Sequence, residues 1–177
     1  MAAAVKEHVE TAVFSDDGKV PNNPLPVILY RGAIAPDPTD PAAAFERSFA
    51  RNDWTNSWRD GIYPFHHYHS ISHEVLGIAR GHGRVRLGGE EGRDFDLCAG
   101  DVVVLPAGTG HKRLSASSDF LVVGAYPGGH DWDLIRADEA DTARHEAAID
   151  HIRKVPLPPH DPVHGKTGPL KELWSAQ

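Results

Sequence analysis

Between Gly61 and Tyr126 the apolar residues come in short runs, GIYPFHHYH, EVLGIAR, RVRLG, RDFDL, DVVVLP, HKRLS and FLVVGAY, divided by glycine-rich turns such as GHG, GGEEG and AGTG. Many strand-length runs at close spacing, with no helical pattern between them, predict antiparallel strands folded as a sandwich or barrel. Upstream, PVILYRG (Pro26 to Gly32) is a β-branched run ended by glycine and reads as a first strand, while the residues before it read as a polar leader. A helix is predicted next: Asp40 can cap it, Pro41 suits its first position, and Ala42, Phe45 and Phe49 recur at roughly helical spacing. Residues 137–153 return to helical composition. The proline-rich close VPLPPHDPVHGKTGPLKELW is expected to lie extended across the domain.

At 177 residues the chain suits one domain, residues 1–177, with a real core. Eighteen Lys and Arg against 25 Asp and Glu leave a net charge of -7, which repels phosphate backbones and anionic lipid, so neither nucleic acid nor a membrane surface is expected as a partner. Cys98 is the only cysteine, which excludes an intrachain disulfide and any thiolate-only metal site, and suits a reducing cytoplasm. The start MAAAVKEHVE places charge at Lys6 and Glu7 and lacks the apolar core of a signal peptide.

The chemistry concentrates in HHYHSISHE, residues 66–74. Successive side chains of an extended strand face opposite sides, so His67 and His69 share one face with Cα atoms roughly 6.6 Å apart, and two imidazoles so placed can converge on one ion. His66 and Tyr68 then face the other way. Glu74 opens the neighbouring strand, from which its carboxylate can reach the same ion, whereas strand parity turns His73 away.

The longer pattern resembles the cupin superfamily, the RmlC-like jelly rolls. Gly61, five residues, His67-x-His69, four residues, Glu74, six residues and Gly81 follow its first motif; Gly100, five residues, Pro106-x-Gly108, two residues and His111 follow its second, with Ser115 where the family usually has asparagine. The resemblance covers residues 61–126. It implies an all-β fold, a single cupin-type antiparallel β-barrel (jelly roll) with a few flanking helices and extended termini. It also implies one divalent transition metal ion in a six-coordinate site, held by His67, His69, Glu74 and His111 with two positions open. A nitrogen and oxygen donor set suits iron, manganese, nickel, zinc or copper without choosing among them. The whole chain looks like a compact microbial single-barrel cupin subfamily whose members mostly lack an assigned reaction.

Arg113 lies two residues after His111 on the same strand face, where an unpaired guanidinium is costly, so it should meet either a substrate carboxylate or an internal salt bridge. Tyr63 and Phe65 share the face of His67 and His69 and are candidates for the cavity wall, with barrel filling as the plainer role. His82 and His130 read as surface residues, and Trp54, Trp58, Trp132 and Trp174 as packing anchors. No phosphate loop, GxSxG elbow or Cys-His pair is present. The expected function is metal-dependent chemistry on a small-molecule ligand that could be anionic, oxygenase chemistry standing slightly ahead of isomerisation or hydrolysis; the alternative is a non-catalytic ligand-binding or sensing protein. A homodimer is expected, because a small barrel leaves sheet edges on which PVILYRG could pair across a two-fold axis.

Overall fold

Two kinds of strand occur in this chain: VILY and VVVL are apolar at every position, whereas HGRVRL and RDFDLC alternate. A strand covered on both faces needs no polar side, while one with a wet face does, so the two kinds belong in different layers. The computed structural model, which describes residues 8–175, places them so. In chain order its strands are β1 (His8–Ala12), β2 (Val27–Arg31), β3 (Trp54–Asp60), β4 (His67–Tyr68), β5 (Glu74–Arg80), β6 (His82–Leu87), β7 (Arg93–Cys98), β8 (Val102–Leu105), β9 (His111–Ala116), β10 (Leu121–Pro127) and β11 (Ile135–Arg136). The helices are α1 (Pro41–Arg51), α2 (Thr142–Lys154) and α3 (Pro169–Leu173).

All pairings are antiparallel, in one sheet ordered β1-β2-β8-β5-β10-β3 and another ordered β11-β4-β9-β6-β7. This is the expected all-β jelly roll, built from two facing sheets. Between them lie Val27, Leu29, Leu76, Ile78, Val103 and Leu105 of the first sheet against Val85, Leu87, Phe95 and Leu97 of the second. The alternate residues of the first sheet, Ile28, Tyr30, Val75, Val102 and Val104, face outward beneath Phe45 and Phe49 of α1 and Leu170 of α3. On the second sheet the outward positions of β6 and β7 pair Arg84 with Asp96 and Arg86 with Asp94 in the solvent. Tyr68, Ile135 and Ala137 form a smaller cluster with Ala148 of α2 and Val20.

Helix α1 begins as predicted, with Pro41 in its first turn, but Asp40 caps it by position only, its carboxylate taking the Arg59 guanidinium instead. Three strands were not anticipated. β1 lies in what reads as a polar leader, β3 in WTNSWRD and β11 is a two-residue pairing. The first of these removes the expected basis for a dimer, since β2 is bonded to β1 on one side and to β8 on the other and offers no free edge. The first seven residues, on which the signal-peptide expectation largely rests, lie outside the described residues. No described helix is long and apolar enough to cross a membrane.

The proline-rich tail runs across the outer face of the first sheet but is extended only at its start, turning back between Asp161 and Gly165 and ending in α3, and a few buried polar contacts fix it. Asp161, fully buried, accepts from Tyr30 Oη at 2.6 Å and from the Val163, His164 and Leu170 amides. Trp54 Nε1 donates to His160 O, and Trp174 Nε1 to Pro26 O. His73 completes the attachment: its Nδ1 accepts from the Ala107 amide at 2.9 Å, so Nε2 carries the proton and donates to Pro156 O at 3.2 Å. Burial lowers its pKa to about 4.

Because the folded imidazole stays neutral down to about pH 4 while the unfolded one protonates near 6.5, the unfolded state binds the extra proton between those values and stability is lost as pH falls through that window. The contribution at stake is on the order of 3 kcal/mol. His73→Gln should therefore be less stable than wild type at pH 7.5, and the gap should narrow as pH falls from 6.5 to 4; urea unfolding at a series of pH values reads it, and a constant gap would show that His73 is not buried neutral.

Candidate metal centre

His67 and His111 sit directly opposite each other on β4 and β9, with ring centroids 4.0 Å apart. His69, two residues beyond His67, keeps the same face just past the end of β4. The chain reaches His111 through a turn in which Gly108 takes φ +90° and donates its amide to His69 O at 2.7 Å, a backbone conformation that side chains disfavour. Ligand nitrogens of His67, His69 and His111, all buried, lie within 4.8 Å of one another. Glu74 arrives from elsewhere than expected. It opens β5, which lies between β8 and β10 in the opposite sheet, and shares the inward parity of Leu76 and Ile78, so its carboxylate crosses the inter-sheet space. Its oxygens stand 3.4 Å from His69 Nε2 and 3.5 Å from His111 Nε2.

Each imidazole is held by its other nitrogen. Nδ1 of His67 bonds Phe65 O at 2.9 Å, Nδ1 of His111 bonds Thr109 O at 3.0 Å, and Nδ1 of His69 bonds Asp133 O. A carbonyl only accepts, so each Nδ1 carries the proton, and a neutral ring then presents a bare Nε2 lone pair. The ligand nitrogens of the three rings come together next to the Glu74 carboxylate, which two of them approach and whose Oε1 is buried with no hydrogen bond of ordinary length among the described residues. This donor set fits a divalent transition metal, with backbone carbonyls orienting the ligands as such sites require.

Burial and the neighbouring His111 press the His67 pKa down to about 2, keeping that ring neutral. For Glu74, burial works to raise the pKa, but the His69 and His111 imidazoles beside it outweigh that and lower it, so the carboxylate is ionised. His69 runs the other way from His67: burial opposes protonation, but Glu74 outweighs it and raises the pKa, so a metal ion would compete with a proton for its Nε2. One full negative charge thus sits among imidazoles between two apolar sheets.

A cavity of about 320 Å³ opens onto the cluster, lined by His67, His69, Glu74 and His111 at its base and by Trp58, Tyr63, Tyr126 and Trp132 higher up. Tyr63 lines it and is 49% exposed, so it does not fill the barrel interior. Arg113 does not line it; half-buried on β9 opposite Val85, it takes part in no ion pair among the described residues. His66 bonds Glu90 on the far side of its strand, His73 is committed to the tail, and His82 and His130 are exposed. Of the tryptophans, Trp54 and Trp174 are buried anchors, whereas Trp58 and Trp132 are cavity wall. Trp58 escapes a parity reading because β3 carries an extra residue opposite Gly124 and Tyr126, with Asn56 at φ +57°, so Trp54 and Trp58 face opposite sides despite their even spacing. Asp133, also unforeseen, orients His69 through its carbonyl while its carboxylate is held by the Ser70 amide at 2.6 Å and Ser70 Oγ at 2.5 Å.

The chain belongs to the family of YjlB, an uncharacterized protein of Bacillus subtilis (strain 168), with 42% identity over 171 residues, 96% of this chain and 99% of that one. No family model matches it. Among solved structures it is similar to the acireductone dioxygenase of Bacillus anthracis, which holds a cadmium ion in its active center, at 17% identity and TM-score 0.40 over 70% of this chain and 80% of that one. It is also similar to an 11S globulin of Wrightia tinctoria, at 18% identity and TM-score 0.36; there the match takes in 45% of this chain and only 22% of the globulin. The jelly roll and the convergence of both motifs on one point bear out the cupin resemblance.

Removing the side chain that fixes the Asp133 carbonyl should loosen His69. Asp133→Ala is expected to weaken zinc binding by roughly tenfold in competition with a chelating dye, the low end for groups that orient metal ligands. His130→Ala, on the same loop and exposed, should leave the affinity unchanged, and equal affinities for wild type and Asp133→Ala would remove Asp133 from the site.

Proposed function

We propose that the chain is a mononuclear, divalent-metal-dependent enzyme acting on a small molecule held in the cavity, with His67, His69, Glu74 and His111 as the ligands of one ion. The observation that supports it most directly is the set of three Nδ1-anchored, buried imidazoles with ligand nitrogens within 4.8 Å of one another and the buried Glu74 carboxylate 3.4 and 3.5 Å from two of them. Iron, manganese, nickel, zinc and copper all suit three nitrogens and one carboxylate. When bound, such an ion supplies Lewis acidity and, if redox-active, the capacity to engage dioxygen.

The remaining work falls to the chain. Tyr126 Oη accepts from Trp58 Nε1 at 2.9 Å, and burial together with the nearby Glu74 charge holds the phenol protonated far above its usual range, so it stands beside the cluster as a neutral donor. Leu76, Leu134 and the aromatic walls exclude water from the base of the cavity. Oxygenase chemistry comes first among the readings because isomerisation and hydrolysis call for a positioned proton acceptor. The two carboxylates lining the cavity are Glu74, assigned to the ion, and Asp60, exposed at the rim.

Elemental analysis of untagged protein, purified without oxygen, should find about one transition-metal ion per chain. The His111→Ala and Glu74→Ala variants should each lose it. Unchanged occupancy in either variant would overturn the ligand assignment, and a correctly folded wild-type protein that takes up no ion from added iron(II), manganese(II) or zinc would overturn the reading itself.

A further inference from the structure

The cavity wall carries information about what enters it. Two stacked aromatic pairs flank the cluster: Tyr63 on Phe65, with centroids 5.0 Å apart and planes 13° from parallel, and Tyr126 on Trp132, at 5.9 Å and 15°. Each pair meets a different imidazole edge-on. Tyr63 and Phe65 lie 5.4 and 5.5 Å from His67, while Trp132 lies 5.5 Å from His69. Tyr63 is 49% and Trp132 43% exposed, so both aromatic residues leave surface in water beside the cavity they line.

Charge is arranged in the opposite sense to an anion site. Arg59 is the one Lys or Arg among the lining residues, and its guanidinium is already taken by both Asp40 oxygens at 3.0 Å and by Glu46 at 3.1 Å. Arg113 lies outside the wall. A small carboxylate entering here would meet no free cation of the chain, and it would lose water without the charge-assisted hydrogen bonds that normally replace it. A planar ring would instead cover the exposed aromatic surface of Tyr63 and Trp132, in a space at the small end of ligand sites.

We propose that the cavity is selective for a small, uncharged planar aromatic ligand bearing adjacent oxygen atoms, of the catechol class, over a small aliphatic carboxylate. The ring lies against Trp132 and Tyr63 and the oxygens point to the histidine cluster. The adjacent oxygens rest on the metal-centre reading above; the ring selectivity rests on the wall alone.

Calorimetric titration of zinc-loaded protein with catechol and, separately, with oxalate tests this, with zinc measured in the same samples. Catechol should bind at least roughly tenfold more tightly than oxalate, and Trp132→Ala should weaken catechol binding by about tenfold at unchanged zinc content, with Trp132→Phe restoring most of it. Equal or tighter binding of oxalate, or a Trp132→Ala variant that binds catechol as wild type does, overturns the proposal. If the protein holds no zinc, the metal-centre reading has failed; the ring selectivity is then decided on the metal-free protein by the same comparison of wild type with Trp132→Ala, and absence of a Trp132-dependent catechol signal there overturns it too.

Discussion

Glu74 carries an ionised carboxylate at 2% exposure, on the central strand pair of a sheet whose inner strands β2, β8 and β5 are buried on both faces. Removing such a group from water costs several kcal/mol unless charge or hydrogen bonds replace its hydration. Here the replacement is incomplete by protein alone. His69 and His111 approach it at 3.4 and 3.5 Å, Tyr126 stands near it, and Oε1 meets no hydrogen bond of ordinary length among the described residues. With Nδ1 of each histidine committed to a carbonyl, the neutral rings offer this residue lone pairs rather than donors, so a cation placed among them would satisfy carboxylate and imidazoles together.

The layers outside the site serve the same requirement. A buried charge is tolerated only if the groups around it do not relax, and the strand that bears Glu74 is held between β8 and β10, with α1 and the tail closing its outer face. That is why the tail is fixed by polar contacts at Asp161, Trp54, Trp174 and His73 rather than laid on loosely. His73 shows the division of labour most plainly. It stands next to Glu74 in sequence, yet strand parity turns it to the outer face, where both its nitrogens are used in packing the chain.

How much of this is legible in the sequence depends on how local the determinant is. Parity along a strand and fixed motif spacing are local, and they place His67, His69 and His111 together and turn His66 and His73 away. The continuous apolar runs VILY and VVVL announce doubly covered strands, and Pro41 with Ala42, Phe45 and Phe49 marks α1. What escapes is set by distant partners. HVETA becomes β1 only because β2 has an edge to offer, and Glu74 reaches the cluster from the facing sheet. The cavity wall depends on a single extra residue near Asn56, which reverses the parity of β3 and turns Trp58 inward. Arg113 has the parity of a cavity residue and yet is not part of the wall, since side-chain direction on a strand does not fix where a long guanidinium comes to rest.

The three imidazole anchors are not equivalent, and the difference ties the wall to the ligands. His67 and His111 bond carbonyls two residues earlier in their own segments, so their orientation is settled by the strand ends that carry them. His69 takes its carbonyl from Asp133, on the loop between β10 and β11. The preceding residue on that loop is Trp132, whose ring stacks on Tyr126 and closes one side of the cavity. Only the φ and ψ of Asp133 separate the Trp132–Asp133 peptide plane from the carbonyl that orients His69, so a shift of Trp132 has a short path to that carbonyl. Ser70 holds the Asp133 carboxylate from the residue next to His69, which fastens the loop where Trp132 and His69 meet. Two of the three imidazoles are thus anchored from the aromatic wall, His69 by the residue after Trp132 and His67 by the carbonyl of Phe65, on which Tyr63 stacks.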